Sequence, residues 1–141
     1  MQAPFYQLDA FTDIPFKGNP AAICLMSTSL DESLYVSIAK EMNLSETAFL
    51  EEKSLGEYNI RWFTPKHEVP LCGHATLAAA KLVFNLGYER EKVTFHTKAG
   101  ELYAFKSGDS ILMDFPRNDP FLVPELKEVN EALGVSPIET Q

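Results

Sequence analysis

The sequence predicts an α+β domain: a curved, mostly antiparallel sheet wrapped around one central buried helix. Three observations lead there. Residues 73–86 carry Ala75, Leu77, Ala78, Ala79, Ala80, Leu82, Val83 and Phe84, which cover almost the whole circumference of a helix rather than one stripe. A helix of that kind has to be enclosed. Short strand-like segments lie on both sides of it in the chain, as strands that could enclose it would. The length, 141 residues with 45% hydrophobic and 23% charged, fits one packed domain and leaves no room for a second of similar size.

In chain order, residues 5–11 read as a first strand, with Tyr6, Leu8 and Ala10 alternating against Gln7 and Asp9. Residues 12–20 are rich in Pro and Gly and read as turns. Residues 21–26 form a short buried strand. Ser29 and Glu32 have capping-box spacing, and Leu34, Ile38 and Met42 repeat every four residues, which predicts a surface helix over 30–43 packing on that face. Residues 47–50 and 58–63 are two strands joined by a hairpin near Gly56. After the central helix, capped by Gly87, strands are expected at 93–97, 101–105 and 111–115, with turns at Ala99-Gly100 and Ser107-Gly108-Asp109. An amphipathic helix over 125–133, beginning at Glu125 and closed by Gly134, ends a domain of residues 1–135. Residues 136–141 read as a linker-like tail.

Twelve basic against twenty acidic residues give a net charge of −8. That balance argues against nucleic acid or an anionic membrane as partner. A small anionic substrate stays open, since a local pocket can be positive on a negative protein. Two cysteines, Cys24 and Cys72, are too few for a disulfide framework, and the N-terminus lacks the pattern of a signal peptide. A cytoplasmic protein is the expectation. Cys24, Cys72, His67, His74 and His96 show no metal-ligand spacing, and no nucleotide-binding or nucleophile-elbow motif is present, so neither metal nor cofactor is expected.

Three stretches can carry chemistry. In Asn43-Leu44-Ser45-Glu46-Thr47-Ala48-Phe49, Glu46 sits at a helix-to-strand junction among apolar neighbours. Desolvation there would raise a carboxyl toward the range useful for proton transfer, although most glutamates are solvated surface groups. In Leu71-Cys72-Gly73-His74-Ala75-Thr76, a Cys-Gly-His triplet opens the buried helix. The free N–H groups of a helix start suit an anion, and Gly73 lets a ligand approach the backbone. His74 can hydrogen-bond a carboxylate or move a proton, and a helix start favours the Cys72 thiolate. A buried inert thiol, a packing glycine and a capping histidine would look the same in sequence. In the turn Gly18-Asn19-Pro20-Ala21-Ala22, Asn19 can donate to a ligand or simply shape the turn.

Taken together, the stretches at 8–12 and 16–22, Ser45-Glu46-Thr47-Ala48-Phe49, Arg61-Trp62-Phe63-Thr64-Pro65 and 68–76 resemble, in order, the motifs of the PhzF-like (phenazine biosynthesis) family. That family shares its fold with diaminopimelate epimerase and proline racemase. The resemblance covers most of residues 5–115. It implies two pseudo-symmetric halves, each a sheet around a helix, and a cofactor-free isomerase site in the cleft between them. Glu46 would then shuttle a proton, with His74 as its catalytic partner and Asn19, Cys72 and Gly73 on the substrate side. Cys72 also falls where the related racemases keep one of their two thiols. Family members are roughly twice this long, so the chain corresponds to the N-terminal half. Three alternatives follow: a half-enzyme without activity of its own, a homodimer through the exposed half-cleft, and a cysteine-based racemase.

Overall fold

The computed structural model describes residues 3–117, 119–124 and 126–134. The elements run β1 (Phe5–Ala10), β2 (Asn19–Met26), α1 (Glu32–Met42), β3 (Thr47–Ser54), β4 (Glu57–Phe63), β5 (Glu68–Val69), α2 (Gly73–Asn85), β6 (Lys92–Thr97), β7 (Gly100–Ser107), β8 (Ser110–Asp114) and α3 (Lys127–Leu133). The strands form one sheet in the order β1-β2-β3-β4-β6-β7-β8, with β5 added to β4. Pairs joined without an intervening helix are antiparallel. The two parallel pairs, β2/β3 and β4/β6, are those whose connections contain a helix, α1 and α2, as a parallel crossover requires.

The sheet curls around α2, whose Ala75, Thr76, Ala78, Ala79, Ala80, Leu82 and Val83 are all buried. Alanine is the useful residue here because a small side chain lets the helix backbone approach strands on several sides at once. Period-two alternation sends Ile23, Ala48, Leu50, Ile60, Trp62, Val93 and Phe95 to the concave side, into one core with α2. Leu77 is half-buried, while Lys81 and Asn85 are exposed, so one stripe of α2 remains open between edge strands β1 and β8. Beyond α2, Gly87 takes φ 93°, the left-handed conformation foreseen for a helix end.

On the convex side α1 covers a second core of Cys24, Met26, Tyr35, Ala39, Phe49 and Phe63. Here two expectations are corrected. The helix begins at Glu32, with Asp31 as N-cap and no side-chain cap bond. Ser29 Oγ donates instead to Glu51, and Glu32 is drawn away to Arg61, so the capping box does not form. The buried face is also turned. Tyr35 and Ala39 are buried while Leu34 is 41% exposed, because the Tyr35 ring stacks on Phe63 (4.9 Å) and meets Phe49 edge-on (4.8 Å). Aromatic partners on β3 and β4 decide the rotation of the helix.

Other boundaries shift for local reasons. β1 stops at Ala10 because Phe11 takes φ 63°. β2 begins two residues earlier than expected, so Asn19 opens a strand instead of lying in a turn. Gly18 beside it has no room for a side chain, since a Cβ would overlap the Ala10 carbonyl oxygen and lie 2.6 Å from Thr12 Cγ2. β3 runs on to Ser54 as an exposed hairpin with β4, turning at Leu55-Gly56. The turn expected at Ala99-Gly100 is made by Lys98 and Ala99, with Gly100 opening β7. α3 closes at Gly134 (φ 66°), but its Val129 and Leu133 are exposed. The expected helix start at Glu125 and the tail 136–141 lie outside the described residues.

Candidate active site

The fold brings two of the three sequence stretches into contact and sets the third beside them. In β3, Ala48 and Leu50 face the concave side, so alternation puts Glu46, just before the strand, on that side as well. The parallel register of β2 and β3, with the Ala22 N–H donating to the Glu46 carbonyl, carries the Glu46 backbone to the level where β2 begins. The start of α2 meets it there. Glu46 Oε2 lies 3.6 Å from His74 Nε2, an ion-pair distance too long for a direct hydrogen bond. Both side chains are largely covered, at 21% and 10% exposure.

The imidazole is held from both sides. Ser45 Oγ is 3.3 Å from Nε2, and Cys72 Sγ is 3.4 Å from Nδ1. Thr76, one turn into the helix, donates Oγ1 to the Cys72 carbonyl at 2.6 Å, and its own N–H reaches the same oxygen at 3.2 Å. This back-bond holds the backbone that carries the thiol. Cys72 occupies the N-cap position without a side-chain cap bond, and Gly73 after it is exposed. A Cβ on Gly73 would meet nothing closer than Phe115 Cζ at 3.9 Å, so the first turn of α2 is open to approach.

Asn19 shares the concave side with Ala21 and Ile23 by alternation, at the same end of the sheet as Glu46. Its side chain is exposed and makes no hydrogen bond to a described residue. The loop between β1 and β2 returns to this end and presents Phe11, Ile14 and Phe16 to solvent, at 73%, 58% and 96% exposure; Leu71 before the helix is 40% exposed.

One electrostatic expectation is overturned. The helix start was expected to favour the Cys72 thiolate, yet the thiol is pushed up to about 11. Burial is the main cause. The Ala75 and His74 backbone N–H groups pull in the other direction, and the neighbouring Glu46 carboxylate adds to the rise. At neutral pH Cys72 is a thiol.

Sequence spacing pointed to no metal-ligand group, but Glu46, Cys72 and His74 do offer ligand atoms within 4.8 Å of one another. Nδ1 contacts the sulfur and Nε2 faces the carboxylate, and the sulfur and the carboxylate also lie close to each other. Two contributors went unremarked in the sequence, Ser45 and Thr76. Both lie inside the motifs quoted above; Thr76 carries a local signal, a threonine four residues after the N-cap, and Ser45 carries none.

The chain is similar to known proteins over nearly all its length. Residues 8–134 match the model of the family described as phenazine biosynthesis-like protein. Two bacterial relatives are both named uncharacterized isomerase. One, from Halalkalibacterium halodurans, is 47% identical over 98% of this chain and 53% of its own length. The other, from Pseudomonas aeruginosa, is 46% identical over 99% of this chain and 54% of its own length. The crystal structure of a phenazine biosynthesis protein of the PhzF family from Enterococcus faecalis superposes with a TM-score of 0.87 at 42% identity, covering 99% of this chain and 54% of that one. The chain spans about half the length of the relatives it matches. With the family model spanning nearly all of it and the fold shared at this level, the chain belongs to the phenazine biosynthesis-like, or PhzF-like, family.

Proposed function

We propose that this chain supplies one wall of a cofactor-independent isomerase site for a small carboxylate-bearing metabolite, with Glu46 as the group that moves the proton. The observation that carries the reading is the Glu46–His74 pair at the open end of the buried helix, 3.6 Å apart and largely covered. The names of the relatives, two of them isomerases, favour the same class.

The chemistry follows from the parts. The Glu46 carboxylate takes a proton from a substrate carbon, and the C–H electron pair moves into the substrate's own unsaturation. The Glu46 carboxyl, whose proton can trade with solvent, then delivers a proton to a different carbon. No electron leaves the substrate and no group is transferred, so the reaction needs no redox or carrier cofactor. The substrate's carboxylate would be received at the start of α2, where Gly73 leaves the approach to the backbone open, with Asn19 as a further donor. His74 steadies the charge that develops. A thiolate mechanism is disfavoured because burial keeps Cys72 protonated.

The test is turnover of a panel of small carboxylate-bearing metabolites by the full-length protein. We expect Glu46→Gln to lower kcat by about 10²–10⁴-fold with the fold intact. Unchanged turnover would sink the assignment.

A second reading concerns the opposite wall. The exposed Phe11, Ile14, Phe16 and Leu71 stand at the same end as Glu46, an apolar rim that favours a covering surface. We propose a second copy of the chain as that surface for the 141-residue form, each copy completing the other's half-cleft. Light scattering across a concentration series reads this directly. A dimer supports it; a stable monomer refutes it and leaves a folded half-site expected to be inactive.

A further inference from the structure

We propose that Cys72 is a positioning residue that sets the tautomer of His74, keeping the imidazole proton on Nε2 and the lone pair on Nδ1. The consequence for catalysis rests on the reading of Glu46 and His74 given above; the tautomer itself does not.

A neutral imidazole has one N–H and one lone pair, and its two nitrogens meet different neighbours here. Among the described residues, the polar contact of Nδ1 is the Cys72 sulfur, at 3.4 Å. Nε2 faces two oxygens, Ser45 Oγ at 3.3 Å and Glu46 Oε2 at 3.6 Å. With the proton on Nε2, an N–H points toward a hydroxyl and a carboxylate, and the Nδ1 lone pair receives the Cys72 S–H. With the proton on Nδ1, the N–H must donate to sulfur, a weak acceptor, while a lone pair is turned toward the carboxylate. That second arrangement loses at both ends of the ring. The cost is felt because His74 is only 10% exposed and water screens the pair poorly.

The thiol is suited to the task. Cys72 is 8% exposed, and Thr76 holds its carbonyl through both side chain and backbone, so the sulfur is kept against the ring. Burial also keeps the sulfur protonated, as a donor has to be. Glu46 lies close enough to compete for the S–H. An S–H turned to Glu46 would leave the Nδ1 lone pair against the lone pairs of sulfur, a repulsion that the S–H to Nδ1 contact avoids. Held in this way, His74 offers an N–H to negative charge in the cleft, and Glu46 is left as the base.

The experiment is long-range ¹H–¹⁵N correlation on the ¹⁵N-histidine-labelled 141-residue chain, above the ordinary histidine pKa. His74→Gln identifies the His74 signals, and circular dichroism checks each fold. For the unaltered chain we expect a protonated-type shift at Nε2 and an unprotonated-type shift at Nδ1. Cys72→Ser, whose hydroxyl can still donate, should keep that pattern. Cys72→Ala should lose it, the two nitrogens moving toward averaged shifts. A proton on Nδ1 in the unaltered chain overturns the proposal without any variant, and so does a pattern indifferent to Cys72→Ala. Turnover of Glu46→Gln is read separately, so either proposal can fail while the other stands.

Discussion

Glu68→Gln should remove a stabilising charge whose effect is confined to a defined pH window. Glu68 accepts from Arg61 Nε at 2.8 Å and Nη2 at 2.8 Å, and Lys98 is bonded to the same carboxylate. The other edge of the guanidinium grips Glu32 at 2.9 and 2.8 Å, and its plane lies over the rings of Tyr35 and Phe63 at 4.6 and 4.9 Å. The clamp therefore ties β5, just before the Cys-Gly-His turn, to β4 and α1. Hydrogen bonding to Arg61 is the main reason the Glu68 carboxyl is held down to about 2 from an ordinary 4.5; burial opposes it and Lys98 assists. A difference of that size corresponds to roughly 3 kcal/mol, and partial exposure, 23%, brings the expectation to about 2 kcal/mol. The folded-state value is the lower one, so the stabilisation is present above 4.5 and is lost as pH falls from 4.5 to about 2. The difference between unaltered and variant chains isolates Glu68 from the other carboxylates. Urea unfolding followed by the fluorescence of Trp62, the single tryptophan and 2% exposed, gives both stabilities at each pH. We expect Glu68→Gln to cost about 2 kcal/mol at neutral pH and almost nothing near pH 2. A cost that stays constant across that range, or one below about 0.5 kcal/mol at neutral pH, would refute the reasoning.

Two further outcomes follow from single positions. Gly56 turns the β3–β4 hairpin at φ 82°, and a Cβ there would overlap the Tyr88 hydroxyl, which donates to the Lys92 carbonyl. Gly56→Ala should therefore cost about 2 kcal/mol or more, read as a lowered Tm, and an unchanged Tm would show that the hairpin has room to adjust. Cys72, with its thiol near 11 against an ordinary 9.0, carries about a hundredfold less thiolate at mildly alkaline pH than an unfolded cysteine. A thiol reagent should accordingly label it at least 10²-fold more slowly in the native chain than in denaturant. Rapid native labelling at one equivalent would restore the thiolate reading.

Much of the fold was legible because its signals are local. The all-round apolar run of α2 announced an enclosed helix, and alternation in 58–63 announced a strand whose buried face is the expected one. Elements defined by tertiary partners were not. β5 is two residues long and exists through its pairing with Trp62 and Phe63. α1 presents Tyr35 because of rings on β3 and β4, which no periodicity within 30–43 contains. In the site, Glu46 and His74 could be nominated separately, but their contact depends on how β3 and α2 meet across the fold. Ser45, 29 residues from His74, became visible only then. The Cys72 thiol shows the limit of a local rule: the helix start does lower it, and burial, which the sequence does not display at a chain turn, outweighs that.

The central claim is that Glu46 moves the proton, and solvent isotope exchange tests it most directly. Full-length protein incubated in D₂O with carboxylate-bearing metabolites would be followed by ¹H NMR for loss of a substrate C–H signal. We expect exchange with the unaltered protein and a loss of about 10²-fold or more with Glu46→Gln, whose amide cannot carry the proton. Exchange that survives Glu46→Gln and disappears on alkylation of Cys72 would contradict the claim and move the chemistry to the thiol.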